Sequence, residues 1–481
     1  MLVAALRQRI LELAIQGKLV PQSPEDGNAE DLYQQILLER KKLIAAGKLK
    51  KEKPLPSIKE EEIPFNIPKS WKWVRLGEVA KLGSGLTPSK QNPEFYARGT
   101  IPWLLTGDLN DGYIEKIPHK ITEKALSATT IKIKPANSVV VAMYGATIGK
   151  LGILKTSACM NQACCCIEVC EGVCNLYIFY YLWANRQQLK SAGVGGAQPN
   201  ISKEKLVVQM LPLPPYDEQR RIIKKVESLF KGLDALEVSQ ERVAAIQAEL
   251  NKRILERAIQ GKLVPQCREE GTAEDLYQQI QQEKKKLIAA GKLKKEKPLS
   301  PITEEENPFD IPESWKWVRL GELGVFERGA GIKKSEVVKD GLPCVRYGQL
   351  YTTYKESFSD AVSYVPEELF AKCKQAKKGD ILMALTGENK PDIALAVVYE
   401  GENLLAIGGD MTRFTPIHVN SHYLMKVINS PHGIAQKVKT ATGDIIVHTS
   451  NDKLAAMLIP LPPPAEQERI IHKIADLNVN I

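Results

Sequence analysis

Seven polar loops that contain glycine carry the side chains with which this sequence could do chemistry. Four lie at residues 83–92, 106–112, 144–150 and 195–202, and three lie at residues 327–336, 346–351 and 408–413. Arg, Lys, Gln, Asn, Ser and Thr side chains can hydrogen-bond to base edges in the major groove of DNA. Neighbouring glycines let backbone amides come close to phosphate groups. The loops therefore predict a surface that contacts nucleic acid.

The candidate contacts are the basic, amide, hydroxyl and tyrosine side chains of these loops. In the first group they are Ser84, Thr87, Ser89, Lys90, Gln91, Thr106, Tyr144, Lys150, Gln198 and Asn200, and in the second Arg328, Lys333, Lys334, Arg346, Tyr347 and Arg413. A single polar, glycine-rich loop is a common surface feature, so the prediction depends on several of them occurring together. The net charge of +9 permits a polyanionic partner without requiring one.

Catalytic motifs fail on inspection of their residues. Residues 145–150 (GATIGK) resemble a phosphate-binding loop, but only three residues separate the glycines and Leu151 follows the lysine. Residues 213–216 (LPPY) resemble the motif with which DNA adenine methyltransferases bind the target amino group, but Leu213 stands where Asp or Asn is required. The motifs HExxH, CxxC and GxSxG do not occur. We therefore expect no catalytic residue and no metal ligand in this chain.

The nine cysteines predict reduced thiols. Several are adjacent, as in residues 164–166, and neighbouring residues of a strand point to opposite faces, which prevents a regular disulfide framework. A metal site at Cys166, Cys170 and Cys174 is the alternative, although no histidine lies nearby. Reduced thiols and the lack of a long apolar run or a signal peptide favour a cytoplasmic protein with no membrane span.

A long internal duplication organises the chain that must position the loops. The nonapeptide AIQGKLVPQ occurs at residues 14–22 and 258–266, and three further pieces, AEDLYQQI, KKLIAAGKLKKEKPL and SWKWVRLGE, recur with the same offset of 244 residues. A second pair, residues 211–229 and 459–477, is related by an offset of 248 residues. Two dissimilar segments lie between these blocks. The order predicts a pseudo-two-fold molecule that is circularly permuted, with its chain ends meeting in space.

The central joint of the duplication predicts one long helix from about residue 216 to about residue 261. Apolar residues recur there in a heptad pattern, and the terminal pieces continue the same phase. The predicted coiled-coil seam is Ile222, Val226, Leu229, Leu233, Leu236, Gln240, Val243, Gln247, Leu250 and Ile254, with Leu6, Ile10, Ile470 and Ile474 on the terminal helices. A helical bundle core without a projecting rod is the alternative. The Lys-rich connectors near residues 41–55 and 285–299 are interpreted as solvated linkers, or else as strips that contact phosphate.

Both dissimilar segments indicate mixed α/β domains, because short apolar runs such as residues 136–145 and 379–387 end at glycine turns. We interpret the tryptophans that open each segment, Trp71 and Trp73 or Trp315 and Trp317, as core residues more than as base-stacking platforms. The predicted fold class is α+β, with two globular α/β domains separated by a long antiparallel coiled coil of duplicated helical regions. The predicted regions are 1–67, an N-terminal helical region; 68–215, the first domain; 216–311, the central region; 312–463, the second domain; and 464–481, a C-terminal helix.

This organisation resembles one family, the specificity (S) subunits of type I restriction–modification enzymes, over nearly the whole chain. The resemblance is carried by QPNISKEKL and PLPPYDEQRRII, by PLPPPAEQERII, by the two copies of AIQGKLVPQ and by IPWLLTGDLNDGYI. In the second segment the exit pattern is present, but GGAQPNIS has no counterpart. The resemblance implies a prokaryotic, nucleoid-associated protein that takes part in defence against foreign DNA.

The resemblance also implies a division of labour among subunits. Each α/β domain is expected to be a target recognition domain that binds one half of a bipartite sequence in double-stranded DNA. The duplicated regions are expected to dock two methyltransferase (M) subunits, onto which restriction (R) subunits assemble. S-adenosylmethionine, ATP and Mg²⁺ are expected on those partners, which makes this chain a non-catalytic subunit of a type I deoxyribonuclease and adenine-N6 DNA methyltransferase complex.

Two other functions remain as alternatives. A self-contained DNA adenine methyltransferase would need the cofactor and catalytic motifs that the sequence lacks. A coiled-coil protein scaffold without DNA selectivity would give no reason for two dissimilar domains inserted at equivalent points.

Overall fold

The structure, a computed structural model, describes residues 2–47, 49, 53–191, 201–295 and 297–479. The chain divides into two compact units, Met1–Gln240 and Glu241–Ile481. Each unit combines one copy of the duplicated helical block with one of the two α/β domains. Among the described helices, none has an apolar stretch long enough to cross a bilayer.

The first unit contains eight helices and ten strands among the described residues, its last helix continuing into the second unit. The helices are α1 (Leu2–Ile15), α2 (Ala29–Ala45), α3 (Leu76–Val79), α4 (Glu123–Ala128), α5 (Asn175–Ala184), α6 (Arg186–Ser191), α7 (Lys203–Val207) and α8 (Tyr216–Ile259). The strands are β1 (Lys72–Arg75), β2 (Ala80–Ser84), β3 (Ile101–Leu104), β4 (Gly112–Ile114), β5 (Lys120–Ile121), β6 (Val139–Ala142), β7 (Leu151–Leu154), β8 (Cys159–Met160), β9 (Cys164–Val169) and β10 (Met210–Leu213).

The second unit repeats this order of elements with small changes. Its helices are α9 (Ala273–Ala289), α10 (Tyr347–Thr352), α11 (Glu367–Lys372), α12 (Ser421–Ile428), α13 (Pro431–Thr440), α14 (Asn451–Ala455) and α15 (Pro464–Val479). Its strands are β11 (Lys316–Arg319), β12 (Gly324–Arg328), β13 (Leu342–Val345), β14 (Ser357–Phe358), β15 (Ser363–Val365), β16 (Gln375–Ala376), β17 (Ile381–Ala384), β18 (Thr386–Gly387), β19 (Ala396–Tyr399), β20 (Leu405–Ile407), β21 (Met411–Pro416), β22 (Val447–His448) and β23 (Leu458–Leu461).

The two α/β domains have the same main sheet although their sequences differ. The five strands are ordered β2-β9-β6-β7-β4 in the first domain and β12-β21-β17-β19-β14 in the second. In both sheets the last strand runs parallel to its neighbour and the other pairs are antiparallel. A smaller sheet, β5-β3-β8 or β15-β13-β20-β16, accompanies each main sheet.

The central strands β6 and β17 are buried on both faces, which explains their unbroken apolar sequences. In β6, Val139 and Val141 join the core that contains Tyr177 of α5, whereas Val140 and Ala142 join a core that contains Leu104 of the small sheet. In β17, Ile381 and Met383 likewise face the helical side while Leu382 and Ala384 face the small sheet. The apolar runs seen in the sequence are therefore the middle layer of a helix–sheet–sheet arrangement.

The duplicated residues build the same polar contacts at the base of each domain. Trp71 donates from its indole nitrogen to Glu218 (2.9 Å), and Trp315 donates to Glu466 at the same distance. Both tryptophans are 6% exposed, so they are core residues as predicted, whereas Trp73 and Trp317 are only partly buried. The further bonds shared by the two copies are Gln22 to Glu218 and Gln266 to Glu466 (2.5 Å each), Ser70 to Gln22 (3.0 Å) and Ser314 to Gln266 (2.9 Å), and Tyr177 to the Pro212 carbonyl and Tyr423 to the Pro460 carbonyl (2.6 Å each).

The predicted central helix is α8, which begins at Tyr216 and ends at Ile259. Its predicted seam is buried only in part. Ile222, Val226, Ile254, Ile470 and Ile474 are buried; Leu229, Leu233, Gln247 and Ile10 are partly buried; Leu236, Gln240, Val243, Leu250 and Leu6 are exposed. The terminal helices are much shorter than α8, with 14 residues in α1 and 16 in α15. In the first unit the guanidinium of Arg7 on α1 pairs with Glu237 on α8 (2.8 Å).

Candidate nucleic-acid interface

Loops of the first domain converge at one end of its main sheet, where β6 ends and β7 begins. Five backbone hydrogen bonds, each between residues distant in sequence, hold them together. They run from the amide of Gly85 to the carbonyl of Cys164 (3.1 Å), Leu86 to Met160 (2.8 Å), Asn161 to Leu104 (3.0 Å), Met143 to Ala163 (2.8 Å) and Ile201 to Met143 (2.9 Å). We call this region the loop end of the first domain.

The second domain has the same five bonds at the end where β17 finishes. They run from the amide of Gly329 to the carbonyl of Met411 (2.9 Å), Ala330 to Ile407 (3.2 Å), Gly408 to Val345 (3.0 Å), Leu385 to Asp410 (2.8 Å) and Thr449 to Leu385 (3.0 Å). This is the loop end of the second domain. The two loop ends therefore share one backbone frame, and the bonds make each loop of one domain equivalent to a loop of the other.

A glycine is required at the same crossing in both frames. A Cβ atom on Gly85 would lie 2.1 Å from the carbonyl oxygen of Met160, and one on Gly329 would lie 2.1 Å from that of Gly408. Such contacts are shorter than real Cβ atoms make, and backbone atoms on the other side cannot move away. Gly85 and Gly329 are therefore required by these backbone crossings, independently of any approach to phosphate.

The frame brings most predicted contacts of the first domain to its loop end. Ser84, Ser89, Lys90, Gln91, Tyr144 and Lys150 are exposed there, whereas Thr87 and Thr106 are partly buried. Thr87 bonds to Gln162 through its hydroxyl group. Gln198 and Asn200 lie outside the described residues. Whether these side chains bind DNA stays a prediction.

The second domain places five of its six predicted contacts at its loop end. Arg328, Lys333, Lys334 and Tyr347 are exposed, and Arg346 directly precedes α10 with its side chain partly buried. Arg328 also donates from Nε to the carbonyl of Gly409 (3.2 Å), which fixes the base of its side chain.

Arg413 differs from the other five because it lies inside strand β21. Its guanidinium pairs with Glu327 (2.6 Å) and lies 3.7 Å from the buried carboxylate of Asp380. It also donates to the carbonyl of Gln375. These partners hold the guanidinium within the domain, and whether Arg413 also binds DNA stays a prediction.

Sequence reasoning missed two parts of the second loop end. The amide of Ala394 bonds to the carbonyl of Ala384 as that of Gly149 bonds to Ala142 (3.1 and 2.9 Å), so residues 386–394 are equivalent to the loop at residues 144–149. The exposed Glu388 of this segment was not predicted. The similar openings MYG and LTG after the apolar strands were the available signal.

The second missed part is the hairpin at residues 442–448, which directly precedes Thr449. Thr449 and Ile201 make equivalent bonds, but the residues that precede Ile201 lie outside the described part of the chain. The expectation that GGAQPNIS has no counterpart in sequence stays a prediction, because residues 195–200 lie outside the described residues. No motif in the sequence marks this hairpin as part of the loop end.

The cysteines form no metal site among the described residues. No group of three or more His, Cys, Asp or Glu side chains in that part of the chain is placed to hold a metal ion. Burial in the strand raises the pKa of the Cys164 thiol to about 12 and that of the Cys166 thiol to about 11. All nine cysteines are free, and the alternative of a site at Cys166, Cys170 and Cys174 is not supported.

Comparisons with known proteins agree with this architecture. A family model described as the type I restriction modification DNA specificity domain matches residues 68–244. The EcoAI specificity subunit of a type I restriction enzyme from Escherichia coli is 27% identical over 550 aligned residues, which cover 99% of this chain and 89% of that protein. The EcoEI specificity subunit from Escherichia coli is also 27% identical, over 98% of this chain and 89% of that protein.

A solved structure has the same fold as this chain. It comes from work on complex assembly and conformational transition of the type I R-M system, and it superposes with a TM-score of 0.56 at 18% identity. The match covers 87% of this chain and 92% of that chain. The predicted α+β class is confirmed.

Proposed function

We propose that this chain is a specificity (S) subunit of a type I restriction–modification enzyme and that it reads a bipartite DNA sequence with one domain for each half. Specificity subunits are non-catalytic components of their complexes, and DNA recognition is their part. In this proposal the loop end of each domain enters the major groove of one half-site, and the duplicated helical regions fix the separation of the two.

The observation that carries the proposal is the shared backbone frame of the two loop ends. Five equivalent hydrogen bonds hold the loops in both domains, yet the side chains that the frame presents differ. In the first domain, for example, Thr87 bonds to Gln162 beside this crossing. In the second domain, Ala330 and Gly331 lie beside the same crossing. One scaffold with two unlike surfaces suits an asymmetric target, because sequence is read by side chains that contact base edges.

We further propose that the duplicated blocks dock two methyltransferase (M) subunits. Each unit contains the same Trp–Glu–Gln network and the same helix, α2 or α9, beginning with AEDLYQQI. Two nearly identical surfaces suit two copies of one partner, since a partner that recognises one block also recognises the other. Restriction (R) subunits would assemble onto the M subunits. S-adenosylmethionine, ATP and Mg²⁺ would be bound by these partners in the cytoplasm, close to the nucleoid.

Mapping N6-methyladenine across the genome, with and without this chain, tests the proposal. A gapped motif with two half-sites that disappears with the chain is the expected result. Methylation that is unchanged, or that has no sequence selectivity in the presence of the partners, would favour a scaffold without DNA selectivity. Methyl transfer from labelled S-adenosylmethionine to DNA by the purified chain alone would instead favour a self-contained methyltransferase.

A further inference from the structure

Two adjacent isoleucines project from the hairpin at residues 442–448 of the second domain. Ile445 is 88% exposed and Ile446 is 56% exposed, although burial of such side chains is strongly favourable. The hairpin is nevertheless well defined. The amide of Thr442 donates to the carbonyl of His448 (3.0 Å), and the amide of His448 donates to the carbonyl of Thr442 (2.8 Å). Val447 is 1% exposed and anchors the strand to the domain.

The hairpin is part of the loop end of the second domain. His448 pairs with Thr386 on β18, and the hydroxyl of Tyr351 on α10 donates to the carbonyl of Thr386 (3.2 Å). Helix α10 begins at Tyr347, directly after Arg346, so the isoleucines stand beside the segment that carries two of the predicted DNA contacts. The surface is therefore continuous with the one to which we assign DNA binding.

We propose that Ile445 and Ile446 insert between bases of the half-site bound by the second domain. This inference rests on the proposed function. In proteins that bind the minor groove, isoleucine is among the apolar side chains that wedge between base steps, where they partly unstack the bases and kink the duplex. We infer the same insertion here from the groove that the loop end enters. Insertion at this place would open the duplex next to the bases that the loops contact.

The size of the apolar tip favours DNA over a protein partner. A stable protein interface covers about 800 Å² on each partner, whereas this tip consists of two side chains flanked by the fully exposed Asp444. The amine of Lys390 lies 3.9 Å from that carboxylate and offsets its repulsion of phosphate. Lys453 contacts the base of the hairpin through Thr442 (3.5 Å) and adds positive charge there.

The two domains differ at this position, which makes the proposal specific. Counted back equally from Ile201 and Thr449, Ala197 and Gln198 occupy the sequence positions of Ile445 and Ile446. Residues 192–200 lie outside the described part of the chain, so the comparison is one of sequence. The first domain has no pair of large apolar side chains at these sequence positions, so we do not expect it to insert side chains between bases. The distortion should therefore affect only the half-site bound by the second domain.

The test uses duplexes that carry the mapped target with single 2-aminopurine substitutions in either half-site, away from the methylated adenines. The full-length chain should increase the fluorescence at one step of the half-site bound by the second domain. A double variant, Ile445→Ala with Ile446→Ala, should lose this increase and bind the target about tenfold more weakly. Both isoleucines are exposed, so thermal unfolding of the variant should match that of the parent chain.

Two further variants serve as controls. Ile445→Leu with Ile446→Leu keeps the apolar volume and should keep the signal. Leu404→Ala removes another exposed apolar side chain, 50% exposed, from the opposite end of the domain, where β19 ends and β20 begins. It should leave both affinity and fluorescence unchanged.

Unchanged affinity and fluorescence in the double alanine variant would overturn the inference and leave the proposed function standing. If the double alanine variant bound DNA normally but no longer bound the methyltransferase (M) subunit, the inference would also be overturned, because the isoleucines would then contact protein. Absence of sequence-selective binding by the parent chain would overturn the proposed function itself.

Discussion

Trp315 donates a hydrogen bond of 2.9 Å from its indole nitrogen to the carboxylate of Glu466, at the start of helix α15. Glu466 is 1% exposed, and this burial raises its pKa above the usual range of a glutamate. The carboxylate also accepts a bond from Gln266 of the repeated nonapeptide. The duplicated sequence thus encodes a buried polar contact between helix and domain, and it does so once in each unit.

Replacing Trp315 by Phe should destabilise the second unit, because Glu466 loses a donor while remaining buried. An unsatisfied buried polar group costs about 1–3 kcal/mol of unfolding free energy. Trp317→Phe is the matched control, since the ring of Trp317 packs against Phe309 (5.0 Å between centroids) instead of bonding to a buried carboxylate. Urea denaturation should show a larger loss for Trp315→Phe. Equal losses would mean that ring volume, and not the hydrogen bond, is decisive.

Gly17→Ala should cost more stability than Gly47→Ala, although both glycines have a φ of +69°. The left-handed conformation costs an L-residue about 1–2 kcal/mol in either case. A Cβ on Gly17 would also lie 2.4 Å from Cγ of Pro68, whereas one on Gly47 would meet nothing within 4 Å. The overlap should add about 1–3 kcal/mol. Chemical denaturation of the two variants measures the difference, and equal values would contradict the predicted clash.

The sequence was sufficient to predict the elements that repeat or that have strong periodicity. The central helix, the buried tryptophans and the α+β class all follow from local pattern, and the structure confirms them. The equivalence of the two loop ends could not be predicted from the sequence. It depends on backbone hydrogen bonds and on buried apolar volume, and different sequences, VVVA in β6 and ILMA in β17, provide both equally well.

The partners of Arg413 within the domain could not be predicted for a related reason. An arginine after GGDMT has the same appearance in sequence whether it faces DNA or an acidic pair, and only the register of β21 against β12 places Glu327 beside it. Which positions of the coiled-coil seam are buried likewise does not follow from the heptad pattern of α8 alone.

Ala394→Gly should stabilise the second domain. Ala394 has a φ of +52°, in the left-handed region, and its equivalent in the first domain is Gly149 with a φ of +78°. Glycine relieves strain of about 1–2 kcal/mol but makes the unfolded chain more flexible, so a net gain of up to about 1 kcal/mol is expected. The reciprocal change Gly149→Ala should destabilise the first domain. Thermal unfolding tests both, and a loss of stability in Ala394→Gly would contradict the argument.

Lys437 should make the stability of the second domain depend on alkaline pH. Its side chain is 1% exposed, its amine donates to the carbonyl of Ala394 (3.1 Å), and burial lowers its pKa from 10.5 to about 8. Between pH 8 and pH 10.5 the unfolded chain holds this proton while the folded chain has released it. Stability relative to Lys437→Met should therefore rise with pH through this window, by about 2–3 kcal/mol.

Unfolding free energies of the parent chain and of Lys437→Met at pH 7.5 and pH 10 provide the measurement. Lys439→Met, on the exposed side of the same helix, is the control and should show no such difference. A difference that is flat with pH would mean that the buried amine keeps its ordinary pKa.

Removing two basic side chains from the second loop end should weaken DNA binding without unfolding the chain. Lys333 is exposed and Arg346 precedes α10, so the double variant Lys333→Ala with Arg346→Ala removes charge and little buried volume. If both contact phosphates, affinity for the target should fall and the slope of log affinity against log salt should become shallower by about 1–2. Lys377→Ala with Lys378→Ala removes the same charge from the opposite end of the domain, before β17 begins, and should change neither quantity. Arg413→Ala should lower thermal stability instead, because it leaves the buried Asp380 without its cation, whereas Glu327 keeps its ion pair with Lys374 (2.7 Å). Binding and salt dependence equal to those of the parent chain in the first variant would remove Lys333 and Arg346 from the interface.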